Sequence, residues 1–290
     1  MHQRQKWIVG ASILLAFGLA ASWVAGSLLV HDQPSYVAPA NLPARDFRLR
    51  ASDSTSVAAT YWPGRTPDAP AILLLHSNHS SRGALRDNAA WLARHGFAVL
   101  TIDFRGHGQS GDADHSFGWH ESRDARAAFG WLKRTQHRAR VAVVGISLGG
   151  AASLIGEDGP LPADALVLQA VYPDFRRAIR NRIAKVTTIG PAYLLEPLLT
   201  FQSKLRFGVW PDRLAPLAAI RKMGSPILII GGEEDRYTPP AETREMFAAA
   251  RGPRTLWLVP GADHAAASAL RTGEYRKRLL AFLISAIGPP

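Results

Sequence analysis

Beyond residue 45 the chain alternates short apolar runs with stretches of helical spacing. Eight runs read as strands: "DFRLR", "VAATYW", "AILLLH", "FAVLTID", "VAVVGI", "ALVLQAV", "PILIIGG" and "TLWLVPG". Most are apolar at nearly every position rather than at alternate ones, the pattern of strands buried on both faces. Helical spacing falls at about Gly83–His95, Glu121–Arg134, Leu148–Gly156, Ala241–Ala250 and Ala266–Ile287. Together they predict an α/β fold over residues 46–290, with a doubly wound, mainly parallel eight-stranded sheet.

Two segments depart from this rhythm. Between "ALVLQAV" and "PILIIGG" lie about fifty residues, far more than the usual two to six of such connections, so residues 172–222 are expected to form a small helical cap. An insertion after a parallel strand's carboxyl end sits where ligands bind in open α/β sheets. At the other extreme, Trp7–Val30 is an uncharged run of 24 residues. As a helix it would extend about 36 Å, enough for a hydrocarbon core of ~30 Å. It exceeds the apolar region of most signal peptides and reads as an anchor within residues 1–31, although Gly18 and Ala20 offer a small-x-small cleavage pattern that would make the protein secreted. Arg4 and Lys6 precede the run and no Lys or Arg follows until Arg45, which predicts a cytoplasmic amino terminus and an extracytoplasmic body. The Pro-rich residues 32–45 read as a linker.

Charge changes the picture modestly. The net charge is +11, and Asp174–Lys222 holds ten Lys/Arg against three Asp/Glu. No nucleic-acid-binding motif accompanies it, so the basic cap is read as attraction to anionic lipid or an anionic ligand, or as a solvated face. The chain has no cysteine, which excludes disulfides, thiolate metal sites and a cysteine nucleophile.

The candidate chemistry centres on "VVGISLGGA". A strand turning sharply into a helix at Leu148 would force the tip residue into a strained backbone and crowd the positions two before and two after it, which are Gly145 and Gly149. Ser147 is then held exposed at a helix amino terminus, with the Leu148 N–H available to a developing oxyanion. A serine needs a base, and the base an orienting acid, each in a loop after a later strand. His264, in "VPGADH", is the only histidine after Ser147. Asp235, the last acid of "GGEED", fits best among Glu233, Glu234 and Asp263, the last of which is expected to cap a loop. The second oxyanion donor is expected from "HSNHSSRG", at the main-chain N–H of Asn78 or, failing that, Ser77. His76 and His79 lack the further ligands of a metal site, so neither metal nor cofactor is expected and His76 is read as a loop brace. Asp103 and Arg105 of "DFRGHGQSG" are read as turn and ion-pair residues.

Five motifs, "LLLHSNHSSR", "TIDFRGHGQSG", "VVGISLGGA", "GGEEDRYTPP" and "VPGADH", together resemble in order and spacing the α/β-hydrolase superfamily, and within it the membrane-anchored, lipase-like and serine-aminopeptidase-like hydrolases acting on esters, thioesters or amides. The resemblance spans roughly Asp46 to the carboxyl terminus. It implies a Ser147 nucleophile, an Asp235 acid, a His264 base and oxyanion donors at Asn78 and Leu148. One departure is Ser77, where relatives commonly carry glycine. The expectation is a serine hydrolase of acyl or lipid-like esters or thioesters working through an acyl-enzyme. Two alternatives are a peptidase, for which Glu196 would supply the amine-recognising group, and a catalytically inert membrane-tethered binding protein.

Overall fold

The all-apolar runs pair into a single sheet, described here from a computed structural model covering residues 2–137, 139–264 and 266–290. Its strands are β1 (Arg45–Arg50), β2 (Ser56–Trp62), β3 (Ala71–Leu75), β4 (Ala98–Ile102), β5 (Val141–Ile146), β6 (Ala165–Gln169), β7 (Ile227–Gly232) and β8 (Arg254–Val259). Their spatial order is β8-β7-β6-β5-β3-β4-β2-β1. Pairing is parallel from β8 through to β4, while β2 runs antiparallel to both β4 and β1. The expected eight-stranded, mainly parallel sheet is therefore present. The chain reverses its direction of winding at β3, and β5 lies on the far side of it. That reversal opens a crevice at the carboxyl ends of β3 and β5, the place where such sheets hold ligands.

The period-two alternation of each strand divides its apolar residues between two layers. Leu73, Leu75, Leu100, Val143 and Leu168 face one layer with helices α3 (Glu121–Thr135) and α4 (Leu148–Leu154). Ile72, Leu74, Val99, Val144 and Val167 face the other with α2 (Arg86–Arg94) and α11 (Thr272–Ile287). Each fully buried Leu or Val contributes roughly 1.5–3 kcal/mol. The edge strand β1 alternates exposed and half-buried residues, and its arginines blunt an otherwise open edge.

The insertion folds into α5 (Phe175–Val186), α6 (Ile189–Thr200), α7 (Gln202–Phe207) and α8 (Pro216–Ile220). Asp174 caps α5 by accepting the N–H of Arg177 at 2.9 Å, and Gly208, at φ 72°, ends α7. Three of the insertion's arginines are held in ion pairs: Arg176 and Arg180 both pair with Glu196, which is 3% exposed, and Arg177 pairs with Asp174 and with Glu245 outside the segment. Helices α9 (Pro240–Ala249) and α10 (Ala267–Leu270) complete the body.

The amino-terminal run is one helix, α1 (His2–Val30), long and apolar enough by length and composition to cross a membrane. Its end is not separate from the body. Gly26 and Val30 are buried and Ser22 and Leu29 half-buried, a spacing that places all four on one face against α6 and α7. Residues 32–45 are likewise docked rather than free: Gln33–Pro34 pairs with His107–Gly108, and Val37 and Ala44 are buried. A Pro-rich composition removes regular hydrogen bonding but does not prevent a segment from lying in a groove.

Candidate active site

Ser147 stands between the last residue of β5 and the first of α4, with φ 48° and ψ −107°. Non-glycine residues rarely occupy positive φ, and the strain is held by the packing of strand and helix on either side. A side chain at Gly145 would press on the backbone of Gly149 and Gly150, as the crowding argument predicts. Gly149 is required for a different reason: a Cβ there would meet the backbone and Cβ of Leu75, at the end of β3. The turn is thus clamped from two directions, and Ser147, only 3% exposed, is fixed above the crevice.

His264 and Asp235 arrive from loops after the next two strands in the chain. The Nε2 of His264 lies 3.2 Å from the Ser147 Oγ, and its Nδ1 donates to Asp235 Oδ2 at 2.8 Å. Asp235, 3% exposed, is itself held, because its Oδ1 accepts the main-chain N–H groups of Tyr237 and Thr238, both at 2.8 Å. Those two donors fix the carboxylate, the carboxylate fixes the Nδ1–H tautomer, and the tautomer leaves an Nε2 lone pair facing the hydroxyl. Asp263 accepts the main-chain N–H of His264 and so braces the loop, while among the described residues no hydrogen bond or ion pair joins Glu233 or Glu234 to His264.

Leu148 opens α4, so its N–H is among the amides without an intrahelical partner and lies beside the Ser147 hydroxyl. The side chain of Asn78 is tied away: Oδ1 is 2.9 Å from His107 Nε2 and accepts the N–H of His79, and Nδ2 is 3.2 Å from His115 Nε2. Any contribution of Asn78 to an oxyanion must therefore come from its main chain. His76 is fully buried, donating from Nδ1 to the Ser77 carbonyl at 2.7 Å and accepting the N–H of Phe104 at Nε2. Burial and the neighbouring positive character of His107 push its pKa down to about 3. His115 is pushed down to about 3 as well, chiefly by burial. His107 and His115 are the supporting residues that the sequence did not reveal. Lone histidines in "RGHG" and "DADH" carry no pattern of their own, and only the fold brings them to Asn78. Among the described residues no cluster of His, Asp and Glu is arranged to hold a metal ion.

Asp103 and Arg105 lie outside the site. Asp103 pairs with Arg82 and accepts the N–H of Gln109, whereas Arg105 bridges Asp124 and Asp53. They fasten the loop after β4 beneath the histidine cluster.

Ser147 and His264 line a cavity of about 400 Å³ together with Ser77, Asn78, His79, Tyr237 and residues of two other elements. From the cap come Arg182, Lys185 and Val186; from α1 come Leu28 and Leu29. Arg182 and Lys185 make no salt bridge among the described residues. Arg182 donates to the Ala178 carbonyl and lies over the rings of Phe117 and Tyr237, and burial lowers its pKa from the usual guanidinium value. Glu196, expected as a recognition group for an amine, points into the cap and is absent from this lining.

A strained serine between strand and helix, backed by His264 and Asp235 at the carboxyl rim of a mainly parallel sheet, matches the motif order described above. Comparison with known proteins agrees with that architecture. The alpha/beta hydrolase family profile matches residues 72–275, and the chain belongs to that family. Over 191 residues it is 31% identical to the uncharacterized protein YqkD of Bacillus subtilis, an alignment covering 65% of this chain and 62% of that protein. It is 24% identical over 253 residues to the uncharacterized protein YfhR of Escherichia coli K12, covering 85% of this chain and 82% of that one. Among solved structures, an esterase of Pyrococcus furiosus superposes with a TM-score of 0.70 at 23% identity, covering 89% of this chain and 99% of the esterase. An esterase of Thermogutta terrifontis gives 0.65 at 17% identity, covering 87% and 95%. The two superpositions establish a shared fold.

Proposed function

We propose that the protein is a serine hydrolase that cleaves carboxylic ester or thioester bonds of acyl substrates through an acyl-enzyme, with Ser147, His264 and Asp235 acting as a catalytic triad. The observation that carries this reading is His264, with one ring nitrogen 3.2 Å from Ser147 Oγ and the other 2.8 Å from Asp235. His264 Nε2 takes the hydroxyl proton as Oγ attacks the carbonyl carbon. The resulting oxyanion is held by the N–H of Leu148 and a main-chain N–H at Asn78, donors worth about 3–4 kcal/mol each in the transition state. His264 then passes the proton to the leaving alkoxide or thiolate, and water repeats the sequence on the acyl-enzyme. The Pyrococcus and Thermogutta proteins of the same fold are esterases by name. A peptidase reading loses its support because Glu196 is consumed by Arg176 and Arg180.

The pocket's composition narrows the substrate. Leu28, Leu29 and Val186 suit an acyl chain, and the cations Arg182 and Lys185, which pair with no carboxylate among the described residues, suit an acidic group on the same molecule. In this reading α1 anchors the protein, with Arg4 and Lys6 on the cytoplasmic side and the catalytic body outside. A panel of p-nitrophenyl esters of increasing chain length, run beside aminoacyl anilides, tests the assignment. Ester turnover that is lost in Ser147→Ala supports it, and anilide turnover without ester turnover overturns it.

A further inference from the structure

The face of α6 turned away from the body is apolar and uncovered: Leu194 is 78% exposed, and Ile189, Tyr193 and Leu198 are about half exposed. Leu205 of α7 continues the patch at 79%. Contiguous exposed apolar surface of this kind on a folded chain marks an interaction site. What covers it follows from the way α1 leaves the body. Ser22 donates to the Leu198 carbonyl at 3.0 Å, and Gln202 Nε2 donates to the Ser22 carbonyl at 3.0 Å. Arg206 stacks on the Trp23 ring at 3.9 Å and donates to the Trp23 carbonyl at 2.8 Å. From Ser22 onward α1 therefore runs along the cap, and only Trp7–Ala21 of its uncharged run stands clear.

Those 15 residues extend about 22 Å, roughly 8 Å less than a hydrocarbon core of ~30 Å. Ser22–Gly26, the next five residues, supply the missing length, and within that stretch Ser22, Trp23 and Gly26 already touch α6 or α7. Whatever depth α1 needs to complete its crossing, the cap shares. A submersion of about 8 Å is the depth at which amphipathic interfacial helices lie with their apolar faces in the acyl boundary. Trp23, Tyr193 and Trp210 are about half exposed and are the residue types of an interfacial aromatic belt, and the exposed Lys204 can reach outward to the headgroups.

We propose that α6, α7 and the last turns of α1 form one surface embedded in the extracytoplasmic leaflet, and that the catalytic pocket opens onto this surface to receive an acyl ester residing in the leaflet. The pocket's apolar wall is built from the same pieces: Leu28 and Leu29 belong to α1, and Val186, 82% exposed, ends α5 beside α6. An acyl chain can thus pass from the leaflet to Ser147 along apolar surface. The inference rests on α1 being a membrane span.

The native chain lacks cysteine, so single labels can be placed without background. The full-length protein carrying Leu194→Cys, Leu198→Cys, Leu14→Cys in the clear part of α1, or Asp68→Cys at the opposite end of the sheet, is labelled with an environment-sensitive fluorophore and reconstituted into phosphatidylcholine–phosphatidylglycerol vesicles. The expected result is blue-shifted emission, quenched by nitroxide-labelled lipid and protected from aqueous iodide, at positions 14, 194 and 198, with the reverse at 68. Iodide-accessible labels at 194 and 198 beside a lipid-quenched label at 14 would overturn the proposal and leave the anchor standing. A label at 14 that iodide reaches would overturn both. Protection at 194 and 198 from both quenchers would mean that protein covers the face, and would also overturn it. A second readout uses Leu194→Glu/Leu198→Glu, neither residue lining the pocket: turnover of a long-chain ester in vesicles should fall at least tenfold while a water-soluble short-chain ester is hydrolysed as before. Equal retention of both activities would contradict the proposal.

Discussion

Replacing Asp235 by Asn tests how the site is held together, because the structure dictates which way the new amide must face. Two main-chain N–H groups, of Tyr237 and Thr238, point at Oδ1 from 2.8 Å, so the Asn carbonyl oxygen is drawn to that side. The opposite orientation would set an NH₂ against two N–H donors and leave both without an acceptor, at a cost of about 1–3 kcal/mol each. The Asn NH₂ then faces His264 Nδ1 as a donor. Nδ1 must become an acceptor, the ring proton moves to Nε2, and the nitrogen 3.2 Å from Ser147 Oγ no longer has a lone pair for the hydroxyl proton. Geometry is retained but the tautomer is wrong, a defect worth about 10⁴ in kcat, or roughly 5 kcal/mol of barrier. The assay is steady-state hydrolysis of a p-nitrophenyl ester by wild type and Asp235→Asn, with thermal melting to establish that the fold persists. A folded Asp235→Asn enzyme within tenfold of wild-type kcat would refute the reasoning. Asp235→Ala, which imposes no tautomer, is expected to retain more activity than Asn at alkaline pH.

Three further outcomes follow from particular contacts. Gly149→Ala drives a methyl group into the Leu75 backbone and should cost about 1–3 kcal/mol, seen as a melting temperature lower by roughly 3–10 °C; an unchanged melt would show that the β3–α4 contact is looser than described. His76 and His115 are held neutral with pKa values of about 3, below the unfolded value near 6.5, so the unfolded chain binds more protons between those limits and stability must fall as pH drops through that window. At pH 5, about 1.5 units below the ordinary histidine value, each should remove roughly 2 kcal/mol, and His115→Gln should flatten the dependence of the melt on pH; a melt insensitive to pH between 7 and 5 would contradict this. Arg182→Gln should raise KM for esters carrying a carboxylate about tenfold or more and leave neutral esters of the same length nearly unaffected, and equal effects on both series would remove the case for anion recognition.

The parts of this molecule that depend on local sequence were legible in advance. β3, β4, β6 and β7 are buried at every position, so their apolar runs could not be mistaken for loops. Gly145 and Gly149 around Ser147 announce a turn that tolerates no side chain. His264 is nearly forced as the one histidine after Ser147, whereas Asp235 shares its loop with Glu233 and Glu234 and is singled out only by its contact with the His264 ring. What was not legible depends on contacts between distant segments. Ser22, Gly26 and Leu29 sit in a run whose composition says only that it is apolar, yet they pack on the cap. The Pro-rich segment looks like a spacer, yet Gln33 pairs with His107. Glu196 lies in an apolar helix and looks like a recognition group until Arg176 and Arg180 are seen to claim it. His107 and His115 have meaning only once the loops after β3 and β4 are brought to the same rim.

The central claim is that an imidazole activates Ser147 and that the two act as one chemical unit. Its most direct test is the time course of covalent labelling by a fluorophosphonate, followed by intact mass and peptide mapping, on wild type, Ser147→Ala and His264→Ala. The account predicts a single adduct on Ser147 in wild type, none in Ser147→Ala, and labelling slowed by orders of magnitude in a folded His264→Ala protein. An adduct on another residue, or labelling of His264→Ala at the wild-type rate, would contradict it.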